Sequence, residues 1–166
     1  MEVKIIRSPK RRRTVSARLV QGTLLVNAPL LISQGRLEKI IANFKLRFER
    51  KKLKDGLNKN DNLVERASRI NEKFFGNTLK VNSIEYVTGQ NTRFGCCNCR
   101  LANIRISHRV GFMPDWVRDY VLLHEMAHLV EPNHSKAFWD IVNRYKFTER
   151  ARGYLIAAGL GSEEPY

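Results

Sequence analysis

Asp115-Trp116-Val117-Arg118-Asp119-Tyr120-Val121-Leu122-Leu123-His124-Glu125-Met126-Ala127-His128, with His134 six residues further on, is the stretch that decides how this chain is read. Val117, Tyr120, Val121, His124, Ala127 and His128 recur at helical spacing, and Pro114 followed by Asp115 reads as a helix start. Residues four apart lie one above the other on a helix, so His124 and His128 can grip one ion from adjacent turns. Both fall on the apolar face, where two imidazoles without partners would be costly and a divalent cation satisfies both. Glu125 sits one step around, placed to take a proton from a metal-bound water.

The third ligand sets the subclass. Pro132 disfavours helical geometry at Glu131, so the predicted helix, 114–130, ends there and the chain turns back. His134 then enters from the turn, which gives three nitrogen ligands and leaves a fourth position open for catalysis. A glutamate on a later helix is the alternative, and Glu149 is the candidate inside helical sequence. His134 is favoured because 135–147 reads as a helix that begins at the site. Metzincins share the histidine spacing but carry Gly where Glu131 stands and a methionine turn downstream, and this chain has no Met after Met126.

Outward from this motif, 166 residues with 43% apolar content predict a single domain, 1–166, with a basic lobe at about 1–60 and a core at about 63–160. No stretch approaches the length of a membrane span, and residues 1–30 show no cleavable apolar core, so a cytoplasmic enzyme is expected. Cys96, Cys97 and Cys99 are a poor disulfide framework and suit a reducing compartment. They read as small side chains on a strand near the site, with a second metal position using His108 as the alternative. Of the formal charge of +14, residues 1–60 hold 16 Lys or Arg against 4 Asp or Glu, and the remainder 14 against 12. Lys10-Arg11-Arg12-Arg13 forms one knot, and Lys45, Arg47, Arg50, Lys51, Lys52 and Lys54 a second, so DNA, RNA, nucleotide phosphates or an acidic protein are the expected partners. Phe44 and Phe48 share a helical face with Leu37, Ile40 and Ile41, which assigns them to core packing rather than base stacking.

The expected class is α+β. Residues 2–7, 14–20 and 23–28 read as a small antiparallel sheet with a turn at Gln21-Gly22. A helix over 33–53, a connecting loop over 54–62 and a helix over 63–75 closed by Gly76 follow. Strands over 79–87 and 104–107 flank the cysteines, helices cover 114–130, 135–147 and 149–159, and 161–166 are expected to fray.

Arg93-Phe94-Gly95-Cys96-Cys97, Asn103-Ile104-Arg105-Ile106, Asp119 to Glu125, Asn133-His134-Ser135 and Phe138-Trp139 resemble, in order and spacing, the YgjP-like metallopeptidase-like proteins, relatives of the SprT and WLM zinc proteases. The resemblance spans nearly the whole chain and extends to Ser8 to Thr14 and Val26 to Leu30. It implies a zincin-like helix and sheet core carrying the HExxH helix, zinc on His124, His128 and His134, and Glu125 as catalytic base. It also suggests that the strand after the glycine motif borders the cleft, where an extended peptide could add as an edge strand. The chain departs from the family at Phe94, where Trp is usual, and at Cys96, where Ser is usual, which bears on substrate fit more than on chemistry.

The function expected from these readings is a zinc-dependent hydrolase of peptide or protein substrates, recruited to nucleic acid through its basic lobe. Tyr145, Tyr154 or an arginine is the candidate oxyanion donor. Two alternatives stay open: a nucleotide phosphoanhydride hydrolase, and a nucleic-acid-binding module with a structural zinc.

Overall fold

The computed structural model describes residues 1–158, which form two compact units, one of Met1–Lys52 and one beginning at Leu53. The class is α+β, with three strands in each of two sheets.

In the first unit, strands β1 (Glu2–Ser8), β2 (Ser16–Val20) and β3 (Thr23–Pro29) pair in the order β1-β3-β2. Leu24, Val26 and Ala28 on β3 are fully buried and alternate with half-buried neighbours, so one face of the central strand lines the core. Gln21 and Gly22 both take positive φ, the backbone a two-residue hairpin turn requires. The predicted all-antiparallel sheet is corrected here: β2 runs antiparallel to β3, but β1 pairs parallel with it, Val3 opposite Leu24 and Ile5 opposite Val26. The most apolar strand takes the centre, so residues 9–15 must carry the chain across it, and the arginine knot lies in that surface connection. Helix α1 (Gln34–Asn60) packs Leu37, Ile41, Phe44 and Phe48 onto the same cluster, which places both phenylalanines in the core.

The predicted loop over 54–62 is instead mostly helix, since α1 continues to Asn60. Tertiary contacts override the loop-forming composition. The Asn58 amide donates to the Tyr86 carbonyl at 3.2 Å and accepts from the Tyr86 N–H at 2.8 Å, while Leu57 packs against Gly111. Helix α2 (Leu63–Phe75) starts at Asn62, whose side chain accepts from the Glu65 N–H at 3.1 Å, and ends at Gly76 in the left-handed conformation, as predicted.

The second sheet, β4 (Ser83–Val87), β5 (Gly95–Asn98) and β6 (Asn103–Ser107), has the order β4-β6-β5. β4 and β6 are parallel, and β5 is an antiparallel edge strand. The strand predicted from 79 begins only at Ser83, because the Asn71 side chain takes both backbone groups of Leu79, at 2.8 and 3.1 Å. Helix α3 (Asp115–Ala127) supplies the largest share of the core: Val117, Tyr120, Val121, Leu122, Leu123, Met126 and Ala127 are all buried. Its N-terminal end is tied to α2 by Arg66, which meets Asp115 at 2.8 Å and Asp119 at 2.5 Å, while Arg118 meets Asp61 at 2.8 Å.

Helices α4 (Lys136–Val142) and α5 (Thr148–Ala157) follow, both shorter than predicted. The buried Thr148 hydroxyl pairs with the carbonyls of Val142 and Tyr145 at 2.8 Å, which satisfies the end of α4 without another helical turn. The predictions for residue 159 and for 161–166 fall outside the described residues. No described helix is long and apolar enough to cross a membrane.

Candidate metal centre

α3 ends where the site begins. His124 lies in its last full turn and His128 caps it, their rings 5.0 Å apart. The chain then turns through residues 129–134. Glu131 holds this turn from both sides: its carboxylate accepts from the Asn133 N–H at 3.4 Å, and its carbonyl pairs with His128 Nδ1 at 3.3 Å. A carbonyl can only accept, so this contact places the proton of His128 on Nδ1 and leaves the Nε2 lone pair for a ligand.

His134 returns from the turn with its Nε2 3.1 Å from His124 Nε2, and one ligand atom from each of the three histidines lies within 4.8 Å of the others. A tetrahedral ion bound at 2.0–2.1 Å separates its ligands by about 3.4 Å, so this donor set fits a divalent cation that accepts imidazole. Burial first, then His128, His134 and the charge of Arg152, push the His124 pKa down to about 3, so this imidazole is neutral and free to coordinate. Among the described residues, this is the one group of three or more His, Cys, Asp or Glu side chains that converges in this way.

The alternatives separate in space. Glu149 is mostly exposed on α5 and pairs with Arg152 at 3.1 Å, outside the converging group. The cysteines have divergent partners: Gln90 donates to Cys96 Sγ at 2.9 Å, and the Cys99 thiol donates to the His128 carbonyl at 3.1 Å. Cys97, raised to about 12 by burial and then by Cys99 and Glu125, stays a neutral thiol. His108 joins none of them in a ligand set.

Phe138 carries the imidazoles. It is fully buried, with ring centroids 4.8 Å from His124, 4.6 Å from His128 and 4.7 Å from His134, and Trp139 stacks on His134 at 5.8 Å. Ser135 caps α4 by accepting from the Phe138 N–H at 3.4 Å, which fixes where this ring points. Sequence reading gave Phe138 no role, although an aromatic four residues after a ligand at a helix start was a usable signal.

Glu125 is buried at 6% exposure and lies against Gly95 of β5, the second residue that sequence reading left without a role. A glycine at the head of a strand, where a missing side chain marks close approach by another element, is the signal that would have found it. Of the oxyanion candidates, Tyr145 donates to the Trp116 carbonyl at 3.1 Å and Tyr154 packs edge-on to the Trp116 ring, whereas Arg152 lies over Trp139 at 5.0 Å and its charge reaches His124.

The chain is similar to known proteins in family and in fold. Residues 47–150 match the family described as YgjP-like, metallopeptidase domain, a span that includes β5, α3 and all three histidines. The crystal structure of the metallopeptidase zymogen of Pyrococcus abyssi, abylysin, is similar at a TM-score of 0.50 and 18% identity, over 57% of this chain and 93% of that one. At that identity the likeness concerns the fold. No curated protein sequence matches the chain.

Proposed function

The chain belongs to the YgjP-like metallopeptidase domain family, and from that premise we propose that it is a zinc peptidase in which His124, His128 and His134 hold the ion and Glu125 is the catalytic base. The observation that carries this reading is the convergence of three imidazole nitrogens beside a buried glutamate. A divalent ion held by these three histidines would supply a Lewis acid, lowering the pKa of an attacking water toward about 7 and polarising the carbonyl.

The chain supplies the rest. Glu125 takes the proton of the attacking water and delivers it to the departing amine. Arg152, over the Trp139 ring and with its charge reaching His124, is the candidate donor for the oxyanion. Among the described residues β5 pairs with a strand on one side only and packs beside α3, and an extended substrate aligns at its other edge by adding as a strand. Exposed Arg12 and Arg13, with the basic residues of α1, recruit DNA or RNA and so bring protein substrates to the enzyme. Free Cys96, Cys97 and Cys99 suit the cytoplasm.

The test is elemental analysis of untagged chain, followed by hydrolysis of a fluorogenic peptide mixture by the parent and Glu125→Gln. One zinc per chain and a rate reduced about 10²- to 10⁴-fold in the variant are expected. Glu125→Gln that keeps its zinc and cleaves at the parent rate would overturn the base assignment. Chelator-sensitive nucleotide turnover without peptide cleavage would move the reading to phosphoanhydride hydrolysis.

A further inference from the structure

Gly95 opens the second sheet's edge strand, paired opposite Ile106, where glycine weakens the strand and needs a reason. The reason is not backbone conformation: among the described residues the glycines with positive φ are Gly22 and Gly76, and Gly95 is not one of them. The reason is space. A Cβ at residue 95 would fall 2.5 Å from Glu125 Oε1 and 2.7 Å from both its Cδ and its Cγ. Gly111 also fills a tight place, but the side chain it meets is Leu57, a packing residue. At Gly95 the occupant is the outer half of the one buried carboxylate at the metal centre.

We propose that Gly95 is a positioning residue for the base, because its missing side chain lets the Glu125 carboxylate lie flat against β5 beside the three histidines. This rests on the reading of Glu125 as the base. Neither backbone can yield. β5 is held to β6 with Gly95 opposite Ile106 and Cys97 opposite Ile104, and the Ser107 N–H donates to the Phe94 carbonyl at 2.6 Å. On the other side, Met126 and Ala127 fix α3 in the core at 0% exposure. The distal end of Glu125 is the flexible partner, so Gly95→Ala leaves the fold intact and displaces the carboxylate by about 1 Å, a misplacement that costs about 10²-fold in rate.

The experiment compares zinc-loaded parent, Gly95→Ala, Glu125→Asp, Gly95→Ala/Glu125→Asp and Glu125→Gln on a fluorogenic peptide mixture. Zinc affinity by competition with a chromophoric chelator, urea unfolding, and a crystal structure of Gly95→Ala accompany it. Gly95→Ala is expected to lower kcat about 10²-fold with KM, zinc affinity and unfolding unchanged. In the Glu125→Asp background, whose shorter side chain withdraws from the glycine, it adds no further loss.

A fully active Gly95→Ala beside an inactive Glu125→Gln would overturn the proposal and leave the base reading standing. Glu125→Gln at the parent rate would overturn both. Zinc loss or unfolding in step with activity would make Gly95 purely structural and overturn the proposal, as would an undisplaced carboxylate in the crystal. The crystal structure decides the displacement whether or not the peptide mixture is turned over.

Discussion

The unit ending at Lys52 buries Leu24, Val26, Ala28 and Leu37 and keeps its polar groups outside, while the unit from Leu53 takes Asn71, Ser107, Glu125 and Thr148 into its interior. Three of those four perform structural work: Asn71 closes the backbone of Leu79, Ser107 donates to the Gln90 carbonyl, and Thr148 ends α4. Glu125 differs because the feature that accommodates it is a gap, the absent side chain of Gly95. A core that only has to fold can be apolar throughout, whereas one that carries chemistry must hold a costly polar group in a shaped place. The first unit offers charge at its surface, and the second offers chemistry in its interior.

The largest effect should come from the ligands. His134→Ala is expected to weaken zinc binding more than about 100-fold, beyond what loss of a supporting contact costs, and to abolish hydrolysis. Glu149→Ala should change neither. Chelator competition on both variants checks this, and the reverse result would move the third ligand to α5. Next in size is a matched pair of core truncations. Phe138→Ala should cost about 3–5 kcal/mol and Leu37→Ala about 2–5 kcal/mol, each read by hydrogen exchange in its own unit. The two should part on zinc: Phe138→Ala weakens it because the ring supports all three imidazoles, and Leu37→Ala leaves it alone. Equal zinc loss in both would break the division of labour.

Smaller still is the charge effect. Changing Arg11, Arg12 and Arg13 together to Gln should flatten the salt dependence of binding to a single-stranded DNA oligonucleotide by about 2 in the log–log slope, near 0.7 per lost contact, without changing peptide hydrolysis. An unchanged slope would mean that the knot is merely a solvated surface.

How far this division was legible in the sequence follows from how local each signal is. The His124 to His134 spacing, the α2 cap at Gly76 and the packing face of Phe44 and Phe48 depend on residues close in sequence, and periodicity reports them. The parallel pairing of β1 with β3, the continuation of α1 past Lys54 and the roles of Gly95 and Phe138 depend on partners distant in sequence or on another element. Asn58 illustrates the limit: its loop propensity is local, and the Tyr86 backbone that recruits it into a helix is 28 residues away.

The smallest effect belongs to the zinc-free chain and concerns pH. Unfolded, His124 titrates near its ordinary value of 6.5, and in the folded chain it titrates near 3, chiefly through burial. Between those values the unfolded state binds more protons, so the contribution of His124 to stability rises with pH. It is fully present above about 6.5 and is lost as the pH falls toward 3. Urea midpoints of the zinc-free parent should therefore fall on acidification through that window more steeply than those of His124→Gln, which has no charge to bury. Hydrogen exchange should place the difference in the unit from Leu53. Parallel midpoints for the two proteins would show that His124 is not held neutral by the fold, and the second unit would lose one of its claims to a preformed site.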